Sequence, residues 1–215
     1  MSDPFDTGYL FPDPTSAPDD LVAFGADLDV STLLAAYRSG YFPMPNRRPK
    51  GIAWYSPNPR GVLEPHRLRI SRSLRRSCRH FDVTINTAFD EVVHACGDPR
   101  RPHGWIDRSI KTAYGRLHQH GWAHSIEVRR EGRLVGGLYG VAIGNLFAGE
   151  SMFHTETDAS KVALVALVER LSADALIDVQ WNTAHLASLG VIDITRSEYL
   201  RRLRLAVGDP RPLLW

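Results

Sequence analysis

The 215-residue sequence predicts an α+β fold in two parts, a small N-terminal domain over residues 1–60 and a larger domain over residues 61–215. Three observations carry this reading. A proline- and aromatic-rich stretch, YFPMPNRRPKGIAWYSPNPR at 41–60, interrupts the chain. Beyond it, apolar alternation on both sides of Glu131-Gly132 signals a β-hairpin. Polar cap residues standing ahead of apolar stripes at helical spacing signal helices in both parts.

Taken in order, the first 20 residues are rich in Pro and Asp and read as an irregular lead-in. Asp29 or Ser31 then caps a short amphipathic helix whose apolar side uses Leu33, Leu34, Ala36 and Tyr37, closed by Gly40. The stretch 41–60 should be an ordered loop with brief extended pieces, because proline fixes φ and removes a donor. It is also the expected domain boundary. Asp107 caps a helix with Ile110, Ala113, Tyr114 and Leu117 on one side, ending at Gly121. Residues 124–129 and 133–141 form the hairpin, and 146–153 a further strand. A helix capped by Asp158 or Ser160 runs to about Leu171, with Leu164, Leu167 and Leu171 on one face. Residues 175–180 make a short strand, and Thr195 with Glu198 a capping box for a last helix through Leu205.

Composition excludes several classes. Hydrophobic residues at 43% and charged residues at 23% are globular values, not those of a disordered or fibrous chain. Net charge is only +2, so any nucleic-acid signal must be local. It is: residues 66–80 hold six arginines (Arg67, Arg69, Arg72, Arg75, Arg76, Arg79) and no acid, whereas residues 1–20 hold five aspartates and no Lys or Arg. Two cysteines, Cys78 and Cys96, make no disulfide framework. Residues 162–168, the longest nearly apolar run, are too few to span a bilayer, and the N-terminus lacks a signal-peptide pattern. A soluble cytoplasmic protein without a membrane segment is expected. Four zinc-capable residues, Cys78, His80, His94 and Cys96, lack the usual ligand spacing, so no metal is expected.

Chemistry-bearing residues stand out within this frame. Asp178 and Gln180, two apart on a strand, project from one face while Ile177 and Val179 face the other way. Glu150 sits in Gly-Glu-Ser-Met-Phe, after a glycine-rich approach (Gly136, Gly137, Gly140, Gly144, Gly149) that suits either close ligand contact or bulges and turns.

Several segments together resemble the leucyl/phenylalanyl-tRNA–protein transferase family. They are LVAFGADLDVSTLLAAYRSGYFP (21–43), WYSPNPRGVL (54–63), ISRSLRR (70–76), GWIDRSIKTAYGRLHQHGWAHSIEV (104–128), LVGGLYGVAIGNLFAGESMF (134–153), ASKVAL (159–164) and LIDVQ…HLASLG (176–190). Their order and spacing carry the likeness. It implies that the larger domain is a GNAT-like acyltransferase. It also implies a reaction in which Leu, Phe or Met passes from aminoacyl-tRNA to proteins beginning with Arg or Lys, marking them for degradation. The donors implied are Leu-tRNA and Phe-tRNA. Turning an activated ester into an amide runs downhill, so no cofactor is expected.

By the same resemblance, Asp178 and Gln180 form a relay that orients the acceptor amine, with Glu150 as a further acid of the site. Leu138, Phe147 and Ile177 join Leu164, Leu167 and Leu171 in an apolar amino-acid pocket. Tyr37, Trp105 and Tyr114 match positions around the terminal adenosine of the tRNA, with Met44 where the family often has Trp. Aromatic faces would stack that base at roughly 1–3 kcal/mol. The arginines of 67–79 would contact tRNA phosphates without reading sequence. Leucines at pocket positions where relatives often have Phe suggest tolerance of Phe as the transferred residue. Two rivals remain. One is an acetyl-CoA-dependent N-acetyltransferase, whose pyrophosphate motif is only partly matched by Arg133-Leu-Val-Gly136-Gly137-Leu138. The other is a non-catalytic tRNA-binding module, which has no use for Asp178 and Gln180.

Overall fold

The computed structural model of the chain describes residues 5–47, 50–101 and 104–208. Chain order runs β1 (Leu21–Phe24), α1 (Val30–Arg38), β2 (Phe42–Arg47), β3 (Lys50–Tyr55), β4 (Arg60–Leu63), α2 (Arg72–Ser77), β5 (Asp82–Ile85), α3 (Phe89–Cys96) and α4 (Arg108–Gln119). It continues with β6 (Ala123–Arg130), β7 (Arg133–Ile143), β8 (Leu146–His154), α5 (Ala159–Val168), β9 (Leu176–Gln180), α6 (Ala184–Ser188), β10 (Ile192–Ile194) and α7 (Arg196–Ala206). The architecture is α+β. A three-stranded sheet, ordered β1-β3-β2, belongs to the N-terminal part, and a seven-stranded sheet, ordered β10-β4-β9-β8-β7-β6-β5, to the rest.

The stretch expected as a loop at 41–60 is instead a paired hairpin. β2 and β3 run antiparallel from Phe42 opposite Tyr55 to Arg47 opposite Lys50. Proline tolerates this because β2 is an edge strand. Pro43 and Pro45 lie two apart, so both missing N–H groups fall on the outer side, where no ladder bond is lost. The expectations for Asp3, Arg48 and Pro49 lie outside the described residues.

Glu131 (φ 51°) and Gly132 (φ 78°) both take the left-handed conformation that a two-residue hairpin between β6 and β7 demands. Asp107 caps α4 by accepting from the N–H groups of Ser109 (2.8 Å) and Ile110 (3.0 Å). Thr195 accepts from the Glu198 N–H at 3.2 Å, but the Glu198 carboxylate turns to Arg201 and Arg202, so only half of the expected capping box forms. Asp29 and Asp158 stand at N-cap positions without capping bonds. The Asp158 carboxylate is taken by Lys161 and Ser77. Helix α5 also stops at Val168, short of Leu171.

The large sheet buries both faces. On one side, α3 and α4 cover Tyr139, Val141 and Ala148, and this core continues into Leu33, Leu34, Tyr37 and Trp54 of the N-terminal part. On the other, α5 covers Ile126, Val128, Leu138, Phe147 and Ile177. Every neighbouring pair in the sheet is antiparallel except β8 and β9. That parallel pair is short, running only from Leu146 opposite Leu176 to Ala148 opposite Asp178. Past it the strands part, and the sheet has a gap in its middle.

Candidate active site

Glu150 owes its position to a β-bulge. Tyr139 faces Ser151 and Gly140 faces Gly149, which leaves Glu150 as the extra residue of β8. Bulges re-aim side chains. Gly140 makes this one possible: a Cβ there would lie 2.3 Å from the Ala148 carbonyl oxygen. The glycine-rich approach therefore serves a bulge at this point.

Among the described residues, the Glu150 carboxylate hydrogen-bonds to two hydroxyls and an amide and to no cation. Tyr37 on α1 donates to its Oε1 at 2.7 Å, Tyr114 on α4 donates to its Oε2 at 3.0 Å, and the two tyrosines hydrogen-bond each other. Gln180 at the end of β9 donates its amide to Oε1 at 3.4 Å. Burial pushes the Glu150 carboxyl up to about 7; the tyrosine hydrogen bonds pull it down and the Asp178 charge pushes it up again. Tyr37, Tyr114 and Tyr139 are all raised well above the usual tyrosine value, first by burial and next by the Glu150 charge. All three stay neutral, and Tyr37 and Tyr114 act as donors.

Asp178 is surrounded differently. Arg60, at the start of β4, grips it with two bonds, Nε to Oδ1 at 2.8 Å and Nη2 to Oδ2 at 2.6 Å. Tyr199 on α7 adds its hydroxyl at 2.8 Å, and the Gln180 backbone N–H donates at 2.9 Å. Arg60 also donates to the Gly40 carbonyl at 3.2 Å, tying this cluster to the end of α1. Both Asp178 and Arg60 are fully enclosed. A carboxylate with four donors has no open lone pair for an incoming amine. Gln180 touches both acids, by its backbone on one side and its side chain on the other. The two side chains expected to share a face have different surroundings: Gln180 reaches Glu150 and lines a cavity together with Ile177 and Val179, whereas Asp178 is enclosed against Arg60, where an amine was expected.

A cavity of about 340 Å³ opens at the gap between β8 and β9. Leu138, Phe147, Leu164, Leu167 and Ile177 line its apolar part, and Glu150 and Gln180 stand at its polar end. Of the expected pocket residues, Leu171 alone is left out, because it lies beyond the end of α5. A second cavity of similar volume, near Leu63 and Leu205, is lined by Glu64, already paired with Arg67 and Arg202, and by His66, Asn145 and Asp174.

The remaining expected residues divide. Tyr37 (1% exposed) and Tyr114 (0%) have no free ring face on which a base could stack, since both rings are in the core and their hydroxyls serve Glu150. Trp105 and Met44 are half-buried at its margin. Arg67, Arg69, Arg72, Arg75, Arg76 and Arg79 are all exposed around α2. Arg67 pairs with Glu64; among the described residues no ion pair involves the other five. Residues 133–138 run inside β7 and open no helix. Arg60 and Tyr199 escaped the sequence reading. The available signal was an arginine opening an otherwise apolar strand, Arg-Gly-Val-Leu, that is buried at every position.

Known proteins resemble this chain over most of its length. The family described as leucyl/phenylalanyl-tRNA protein transferase matches residues 62–204, and its N-terminal domain matches residues 26–58. The leucyl/phenylalanyl-tRNA–protein transferase of Thiobacillus denitrificans is 48% identical over 98% of this chain and 96% of its own. That of Aromatoleum aromaticum is 52% identical over 92% and 86%. Among solved structures, a GCN5-related N-acetyltransferase from Kribbella flavida aligns with TM-score 0.39 and 10% identity over 76% of this chain and 60% of that one.

Proposed function

This chain belongs to the leucyl/phenylalanyl-tRNA–protein transferase family, and we propose that Glu150 is the proton acceptor of its reaction. The chain is an aminoacyltransferase, moving Leu or Phe from aminoacyl-tRNA to a protein. The acceptors are proteins beginning with Arg or Lys, the setting is the cytoplasm, and the product is marked for degradation. Residues 1–60 act as the small domain and residues 61–215 as the GNAT-like catalytic domain.

The observation that carries the proton role is the position of Glu150. A carboxyl that hydrogen-bonds to no cation among the described residues, raised to about 7, stands beside Gln180 in a mainly apolar cavity that Arg101 and His185 also line. The cavity would take the transferred side chain and so bring the ester carbonyl to the level of Glu150 and Gln180. An acceptor α-ammonium has a pKa of about 7.7–8.0, close enough to a group near 7 for easy proton exchange. The neutral amine attacks the ester carbon, a C–N bond forms, and the C–O bond to the terminal ribose breaks. The proton taken by Glu150 returns to the leaving ribose oxygen. Gln180 fixes Glu150 and the amine relative to each other, and Asp178 holds Gln180 through its backbone. Orientation of this kind can supply about 7–11 kcal/mol of a barrier. Arg67, Arg69, Arg72, Arg75, Arg76 and Arg79 bind tRNA phosphates, while Met44 and Trp105 border the terminal adenosine.

The test is transfer of labelled Phe from Phe-tRNA to a peptide beginning with Arg, beside one beginning with Ala. Label on the Arg peptide alone, lost in Glu150→Gln, supports the reading. Salt-sensitive tRNA binding with no label on either peptide would replace it with a non-catalytic tRNA-binding module.

A further inference from the structure

Two buried carboxylates share this site: Arg60 is bonded to one of them, while Arg101 and His185 line the same cavity as Glu150, with the Arg101 guanidinium held by the Cys96 and Met152 carbonyls. The groups turned towards Glu150 are Tyr37 from α1, Tyr114 from α4, Tyr139 from β7, Gln180 and Asp178 from β9, and Arg60 from β4. Of these, three are hydroxyls, one is an amide and one is the second acid. Among the described residues, Arg60 is thus the cation that hydrogen-bonds to an acid of this pair.

Geometry decides which acid it serves. The planar guanidinium meets Asp178 with two bonds, as forked carboxylate recognition requires. Its remaining directions are closed, with the Gly40 carbonyl accepting from Nη1 and the rings of Phe42 and Tyr199 stacked 5.0 and 4.4 Å from its carbon. It has no freedom to swing to Glu150. A second buried acid beside a neutralised pair can avoid an uncompensated charge only by holding a proton.

We propose that Arg60 is a positioning residue that assigns the exchangeable proton of the reaction to Glu150, by committing its charge to Asp178. Nothing in the sequence motifs or the comparisons gives Arg60 this task. The proposal rests on the reading of Glu150 as the proton acceptor. It adds that the relay acid, Asp178, is an electrostatic fixture and carries no proton of its own in the reaction. It also makes the neighbouring of β4 and β9 a functional contact, because the Arg60 side chain reaches Asp178 from β4.

The test is infrared difference titration of the free enzyme, following the C=O band of the protonated carboxyl, with Glu150→Gln identifying the band. In the intact protein one such carboxyl should titrate near neutral pH. Asp178→Asn leaves the Arg60 charge uncompensated beside Glu150, so its midpoint should fall by about one pH unit or more. Arg60→Met leaves the Asp178 charge instead, and the midpoint should rise by a similar amount. The double variant Arg60→Met/Asp178→Asn removes both charges and should return the midpoint to within about half a unit of the original. Should the single Arg60 variant fail to fold, Asp178→Asn and the double variant decide between them. An unmoved midpoint in Asp178→Asn, or a carboxyl band that persists in Glu150→Gln, overturns the proposal. Full transfer by Glu150→Gln would instead overturn the proton-acceptor reading, whatever the band does.

Discussion

The ends of β8 and β9 lie side by side, each presents a carboxylate to the middle of the molecule, and the two have opposite company. On β9, Asp178 stands opposite Val62 beside an irregularity in the β4–β9 register and meets an arginine, a tyrosine and a backbone amide, every one of them a donor fixed by the fold. On β8, Glu150 leaves the register through a bulge and meets only neutral donors, beside an open cavity. The contrast teaches that chemical identity says little about the role of a buried acid. A paired acid is part of the scaffold, and breaking its pair leaves a stranded charge. An unpaired acid next to space is a group that can exchange a proton.

The sharpest way to break the comparison is to neutralise each acid in turn. Glu150→Gln should cut transfer by about 10²–10⁴-fold, the usual worth of a general base, while thermal stability at pH 7 holds or rises. A rate within threefold of the parent would remove the distinction drawn here. Asp178→Ala should act first on the fold, because it strands Arg60 in the core. A loss of about 3–5 kcal/mol is expected, read as a lower midpoint in urea unfolding. An Asp178→Ala protein as stable as its parent, yet inactive, would return the chemical role to β9.

A smaller effect sharpens the same contrast through pH. The folded Glu150 carboxyl titrates near 7 against an ordinary value of 4.5. Between these values the native state holds a proton that the unfolded chain has released, so the contribution of Glu150 to stability should fall as pH rises from about 4.5 to 7 and level off above. Buried His124, its ring pushed down to about 4, acts in the opposite sense over much of that range in parent and variant alike, so the check is the difference: the unfolding midpoint of Glu150→Gln should gain on that of the parent as pH rises from about 4.5 to 7. The smallest effect lies far from both acids. Replacing Arg75 and Arg76 with Ala should weaken tRNA binding and reduce the slope of log K against log salt by about 0.7–0.9 per lost phosphate contact, with the transfer rate at saturating tRNA unchanged.

Much of the fold was legible because local rules were decisive. Asp107 capping α4, the Glu-Gly turn and the alternation around it each depend on neighbours in sequence, and the structure has them as read. The hairpin at 42–55 was not legible, since proline argues against a strand unless one knows that the strand lies at an edge. The apolar pocket was largely legible through Leu138, Phe147, Leu164, Leu167 and Ile177, with Leu171 misplaced by a helix that ends early.

The sequence by itself determined the α+β class, the family, most of the apolar pocket and the presence of acids at 150 and 178. These follow from periodicity, caps and motif order, all of which are written along the chain. Tertiary structure alone decided what each acid meets. Arg60 lies 118 residues from Asp178, and Tyr37 lies 113 from Glu150, so no local pattern couples them. Sheet order brings β4 beside β9, and a one-residue bulge turns Glu150 towards the tyrosines. The charge on a buried acid depends on what lies within a few ångströms of it, and that distance is set by packing, not by position in the sequence.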